Sequence, residues 1–159
     1  RIFEGTNEIN RLLIPGMIAR RGGVSPVPPD GTPLGALRSA ASLALSTAIR
    51  HFGAALGEQQ EVLTFCADAI IDTFAADSVA LRAEAAGTPL HDAVAAIHLN
   101  DAAGRVEIAA RNALAAMGDE GRAQLAGLRA MMDVEPVDTV PLRRQVAEAI
   151  LTGRRYPFA

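Results

Sequence analysis

Two glutamates bracket a short polar run near the start of the chain: Glu4, Gly5, Thr6, Asn7 and Glu8. A carboxylate serves as a general base when it is held within hydrogen-bond reach of the proton it removes, in a site dry enough to lift its pKa toward the working pH. Gly5, next to Glu4, has no side chain to keep a ligand away from the backbone. Thr6 fits a helix N-cap, and the helix it would open presents backbone donors suited to an anion such as a pyrophosphate. The same residue types are also ordinary capping and macrodipole features before an apolar helix. Type and spacing alone leave both readings open.

Other reactive side chains invite blander readings. His91 and His98, with Asp92 and Asp101 nearby, could share a helix face, but no cysteine and no HxxxH spacing supports a metal site, and none is expected. Cys66 stands alone on the apolar side of a helical pattern, as a small buried hydrophobe would. Asp68 and Asp72, one turn apart, fit a solvated or arginine-paired stripe better than a catalytic pair. Arg143, Arg144, Arg154 and Arg155 make the end of the chain basic, which suits a helix C-terminus and also an anionic surface or partner.

The elements that must carry these residues are helices. Half of the 159 residues are apolar, only six are aromatic, and alanine is abundant, so the core must come from close helix packing. A first helix should carry Ile9, Leu12 and Leu13 on its apolar face, with Pro15 and Gly16 leaving its end open. Residues 22–33, rich in glycine and proline, read as a linker or irregular surface loop. Helical patterns then run from Leu34 to about Gly57, from Glu58 to about Ala86, from Pro89 to near Gly118, from about Glu120 to Met132, and from Thr139, as cap, to about Leu151. The second of these places Val62, Phe65, Cys66, Ala69, Ile70, Thr73 and Phe74 on one side. No strand pattern interrupts them, so the expected fold is all-α, an up-and-down helical bundle.

Composition narrows the function classes. All fifteen basic residues are arginines, scattered along a chain of formal net charge -3, which is no nucleic-acid footprint. The apolar stretch Ser39–Ile49 is eleven residues bounded by arginines, short of the roughly 20 needed to span a bilayer. With one cysteine and no signal peptide, a cytoplasmic location is expected, with membrane association left open.

The run EGTNEINRLLIPG, Glu4 to Gly16, resembles the corresponding segment of bacterial acyl-CoA dehydrogenases of the very-long-chain type, a group with an additional helical domain after its catalytic body. The stretch EQQEVLTFCADAIIDTFAADSVALRAE, Glu58 to Glu84, is similar to the long helix of that extra domain, and PLRRQVAEAILTGRRYPF, Pro141 to Phe158, to its closing helix and terminus. The proline-rich linker departs from the family, and the alanine-heavy helix after it matches by pattern only.

The resemblance implies a division into residues 1–21, the end of the catalytic domain; 22–33, a linker; and 34–159, the additional helical bundle. It implies that Glu4 is the base that takes the α-proton of a fatty acyl-CoA, that Gly5 lines the substrate site, and that Thr6, Asn7 and Glu8 meet FAD. In such an enzyme the β-hydrogen leaves as hydride to the flavin, the product is the trans-2-enoyl-CoA of fatty-acid β-oxidation, and electrons pass to an electron-transferring flavoprotein. It also implies a homo-oligomer. Because the strands and helices that would cover the flavin have no counterpart here, the chain is expected to be the C-terminal part of a longer enzyme and inactive alone. The alternative is a non-catalytic helical module for oligomerisation or for docking on a membrane or partner. The helix from Leu34, apolar on more than one side, is expected to be buried against another domain or subunit.

Overall fold

Thr32 and Thr88 open two long helices by the same device. Each hydroxyl accepts from the backbone N–H three residues on, Gly35 at 2.9 Å and His91 at 3.4 Å, and each is followed by a proline whose missing N–H costs nothing in a first turn. In a computed structural model of the protein, residues 7–153 and 156–158 are described. They form α1 (Asn7–Arg20), α2 (Pro33–Phe52), α3 (Gln60–Ala86), α4 (Pro89–Ala115), α5 (Gly118–Met131) and α6 (Thr139–Gly153), with a 3-10 turn at Gly53–Glu58 and no strand among the described residues. The all-α expectation holds.

The helix expected to reach Gly57 ends five residues earlier. Gly53 takes a φ of 50°, which no right-handed helix accommodates, and the chain tightens into the 3-10 turn before α3 begins. The cap of α6 also differs from expectation: the Asp138 carboxylate accepts from Val140 N–H at 3.0 Å, whereas Thr139 is already helical and its hydroxyl accepts from Arg143. An ionised carboxylate is the stronger acceptor at a helix start.

The core lies between α2, α3 and α4, with α5 closing it across α2 and α4. Leu37, Leu45, Val106, Leu114, Met117 and Leu128 are fully buried, and Ala40, Ala44, Ala48, Ala102, Ala110 and Ala113 show no exposure, so alanine lets these helices approach closely. Each buried leucine contributes about 1.5–3 kcal/mol relative to exposure. α2 is buried almost throughout, by α3, α4 and α5 of its own chain. No second domain, subunit or membrane is needed to cover it. Its serines are tolerated inside because Ser39, Ser42 and Ser46 return their hydroxyl protons to carbonyls one turn back, whereas the Thr47 hydroxyl is buried without a hydrogen-bond partner.

Two outer helices rest on this core. α1 packs chiefly on α3 and α6 on α4, and α6 buries no residue completely. The apolar face expected of the first helix is rotated. Leu12, Ile18 and Ala19 pack against the core and Pro15 is fully buried, whereas Ile9 and Leu13 are exposed at 54% and 47%. The buried proline and the continuation to Arg20 pull the inward side round by one position, since 12, 15, 18 and 19 share a helical face. Phe74, expected inside, is 72% exposed, because this turn of α3 meets α2 through the preceding residue, Thr73, whose hydroxyl donates to Ala69 O at 2.7 Å and approaches Leu37 O at 3.4 Å.

Residues 21–32 are fastened down along part of their length. Val27 N–H donates to Ser42 Oγ at 2.9 Å, Val24 packs on the core, and Asp30 accepts from both the backbone and the hydroxyl of Thr32. Those two bonds, the hydroxyl first, hold the Asp30 carboxyl below its ordinary range. No helix of the described residues is long and apolar enough to cross a membrane.

Candidate functional site

Of the five residues expected to handle substrate and cofactor, Glu4, Gly5 and Thr6 lie outside the described residues. Asn7 and Glu8 are exposed in the first turn of α1, with Glu8 the acidic residue there. Main-chain N–H groups at this end of a helix point outward and favour anions, so the turn fits a phosphate-bearing cofactor through its backbone. The Glu8 carboxylate opposes a phosphate, so its side chain does not fit that part of such a ligand.

What holds α1 in place is visible. Its inner face buries Pro15 and presses Leu12, Ile18 and Ala19 onto the core, and Arg11 Nε meets Asp68 Oδ1 of α3 at 3.0 Å. Next along α3, Asp72 takes the Arg105 guanidinium of α4 at 2.9 Å, and Asp77 takes that of Arg38 from α2. The three aspartates of α3, Asp68, Asp72 and Asp77, are thus an arginine-paired stripe, each reaching a different helix. Hydrogen bonding to these partners raises the pKa of both Arg38 and Arg105, so both stay charged throughout. The sequence showed the acidic residues but not their partners, since the arginines lie on three other helices.

Similar clamps hold the later helices. Glu120 of α5 accepts from Arg50 Nε at 2.6 Å and lies 2.9 Å from His51 Nδ1, both at the end of α2. The His51 contact, then the Arg50 one, lowers the Glu120 pKa. Arg143 of α6 donates to both oxygens of Asp101 on α4 at 2.6 and 2.8 Å, which lowers the Asp101 pKa.

The remaining candidates fall apart as a site. His91 Nδ1 sits 2.7 Å from the Thr88 hydroxyl, its ring edge-on to Phe158, while His98 Nε2 is buried on α4 without a partner. Among the described residues no three His, Cys, Asp or Glu side chains gather as a metal-holding group. Cys66 is fully buried, and burial pushes its thiol up to about 12, so it stays protonated and inert. Of the terminal arginines, Arg143 is committed to Asp101, Arg144 lies on exposed α6, and Arg154 and Arg155 lie outside the described residues. Beyond them the chain returns to the bundle, with the Phe158 carbonyl accepting from Arg82 of α3 at 2.5 Å.

The family profile described as "Acyl-CoA dehydrogenase, C-terminal domain" matches residues 36–130, which take in α2 to α5. The chain is 28% identical, over an alignment of 191 positions, to a Bacillus subtilis (strain 168) protein named "Probable acyl-CoA dehydrogenase"; the alignment takes in 98% of this chain and 32% of that protein. The crystal structure of an acyl-CoA dehydrogenase complexed with FAD from Bacillus anthracis is similar at a TM-score of 0.87 and 27% identity, over 98% of this chain and 32% of that one. The chain spans about a third of the length of both relatives.

Proposed function

The chain belongs to the acyl-CoA dehydrogenase family, and from that premise we propose that it works as the C-terminal part of an FAD-dependent enzyme that oxidises a fatty acyl-CoA to the trans-2-enoyl-CoA. The observation that carries the proposal is the position of the run Glu4–Arg11: it leads into α1, directly ahead of a bundle that matches the family's C-terminal domain.

The chemistry assigned to this chain's own residues is brief. The Glu4 carboxylate takes the α-proton and becomes the neutral acid as the α–β double bond forms. FAD, when bound, supplies the acceptor for the hydride that leaves the β-carbon. Gly5 lets the substrate approach the backbone, and Thr6, Asn7 and Glu8 contact the cofactor, with main-chain donors at the start of α1 as the fitting element. Residues 1–21 then close the catalytic domain, residues 22–33 lead on, and residues 34–159 form the additional helical domain.

The relatives' greater length supports a longer parent enzyme, with most of the flavin site outside these 159 residues. In that enzyme the electrons pass to an electron-transferring flavoprotein, in fatty-acid β-oxidation. The very-long-chain type is part of the same proposal and rests on the likeness of Glu58 to Glu84 and of the tail. Exposed apolar side chains on α3, among them Ile71, Phe74 and Leu81, support a homo-oligomer.

The test compares the purified 159-residue chain with the complete product of its reading frame, each supplied with FAD and a fatty acyl-CoA. The complete product turns over and the chain alone does not. Turnover by the chain alone refutes the division of labour, and inactivity of both across acyl lengths favours a non-catalytic helical module.

A further inference from the structure

We propose that Asp68 of α3 is a positioning residue for the proposed base: through Arg11 it fixes the helix that follows Glu4, and so couples the family's C-terminal helical domain to the chemistry. The inference rests on the reading of Glu4 as the base.

Three observations carry it. First, among the described residues α1 packs chiefly on α3, which is its main seam with the bundle. Second, Arg11 and Asp68 are in contact at 3.0 Å, and Asp68 lies inside the matched domain, residues 36–130, whereas Arg11 belongs to the EGTNEINR run. Third, the neighbouring carboxylate is already taken: Asp72 is held by Arg105 of α4, so Asp68 is the α3 carboxylate paired with α1. Apolar burial of Leu12, Pro15 and Ile18 presses α1 onto the bundle, and this attraction is itself non-directional. The Arg11–Asp68 charge pair near its start adds a directional contact that favours one register. Arg11 lies one helical turn after Asn7 and seven residues after Glu4 in sequence, so a change in register at Arg11 moves Asn7 and Glu8, the described part of the proposed cofactor contacts. Catalytic rates fall steeply when a reacting group is displaced by as little as an ångström.

Both side chains are more than a third exposed, so the pair is modest in strength. The corresponding loss on Asp68→Ala is about two- to five-fold in whatever measures the docking of α1. Charge reversal, Asp68→Arg, sets two guanidiniums against each other and exceeds that loss, and adding Arg11→Asp restores the pair with the charges exchanged.

Two measurements keep this proposal separate from the reading of Glu4. Hydrogen exchange on the 159-residue chain should show α1 amides exchanging about two- to five-fold faster in Asp68→Ala, faster still in Asp68→Arg, and near the original rate in the double reversal, with α4 and α5 unchanged. In the complete product of the reading frame, Asp68→Arg should slow reduction of bound FAD by acyl-CoA more than it changes the apparent affinity for acyl-CoA, with recovery on adding Arg11→Asp. Unchanged α1 exchange in Asp68→Arg overturns the proposal, as does altered exchange with flavin reduction untouched. If Glu4→Gln leaves flavin reduction unchanged, the base reading fails, and with it the catalytic half of this proposal, while the exchange result still reports on the seam. Should Asp68→Arg not fold, Asp68→Asn carries the same comparison.

Discussion

Gly121→Ala should destabilise the protein, although alanine is the better helix former. Gly121 is buried in the first turn of α5, where the chain has just reversed out of α4. A Cβ built there overlaps the Leu114 carbonyl oxygen, lies 2.8 Å from its carbonyl carbon, and lies 2.9 Å from Met117 Cβ. None of these is the free end of a flexible side chain; two are backbone, and Met117 is itself fully buried. Helix propensity favours the substitution by about 1 kcal/mol at most. Overpacking against an unyielding neighbour costs about 1–3 kcal/mol and more when backbone must move. With backbone in the way the cost sits at the upper end of that range, so the net result is a loss of about 2 kcal/mol.

Gly127, exposed in the interior of the same helix, provides the control. Its Cβ meets nothing within 4 Å, so Gly127→Ala should gain about 0.5–1 kcal/mol from propensity alone. Thermal unfolding followed by far-ultraviolet circular dichroism reads both. With about 2–4 °C per kcal/mol for a chain of this size, Gly127→Ala rises by a degree or more and Gly121→Ala falls by several. If Gly121→Ala is as stable as the original chain, the close approach of α5 to the end of α4 is wrong, and with it the account of the corner.

Three further outcomes follow from the same geometry. Leu128→Ala removes a side chain only 1% exposed and should cost about 2–5 kcal/mol, read as a lowered urea midpoint; a loss under about 1 kcal/mol would mean that α5 does not close the core. Cys66, buried with its thiol pushed up to about 12, should resist a thiol reagent in the folded chain at mildly alkaline pH and react fully in denaturant; rapid labelling of the folded chain contradicts its burial. Asp101, whose carboxyl is held below its ordinary 3.8 by Arg143, steadies α6 at any pH above that value and loses the contribution as pH falls through its lowered folded pKa; proteolysis or exchange of α6 should therefore accelerate in strong acid before α2 and α4 open, and simultaneous opening refutes it.

The sequence was legible where local rules decide. Helix type, number and approximate ends follow from threonine–proline starts, glycine stops and alanine content, and these survive because they depend on neighbours a few residues apart. The inner face of α1 was misjudged because Ile9 and Leu13 are as apolar as Leu12, and only the position of α3 decides which side is inward. Phe74 misled in the same way: its hydrophobicity is local, but its exposure depends on where α2 lies. The candidate site is proposed from one continuous run, Glu4 to Arg11, which needs no tertiary information. Its support, Asp68, was visible only as one acid in a stripe, because a pair 57 positions apart has no signature along the chain.

Whether this chain carries the base of a dehydrogenase is tested by flavin bleaching in a stopped-flow instrument after acyl-CoA is mixed with the complete product of the reading frame, for the original protein and for Glu4→Gln. Rapid bleaching is expected in the first and a loss of about 10²–10⁴-fold in the second, with FAD still bound. Bleaching at an unchanged rate in Glu4→Gln would contradict that role for Glu4.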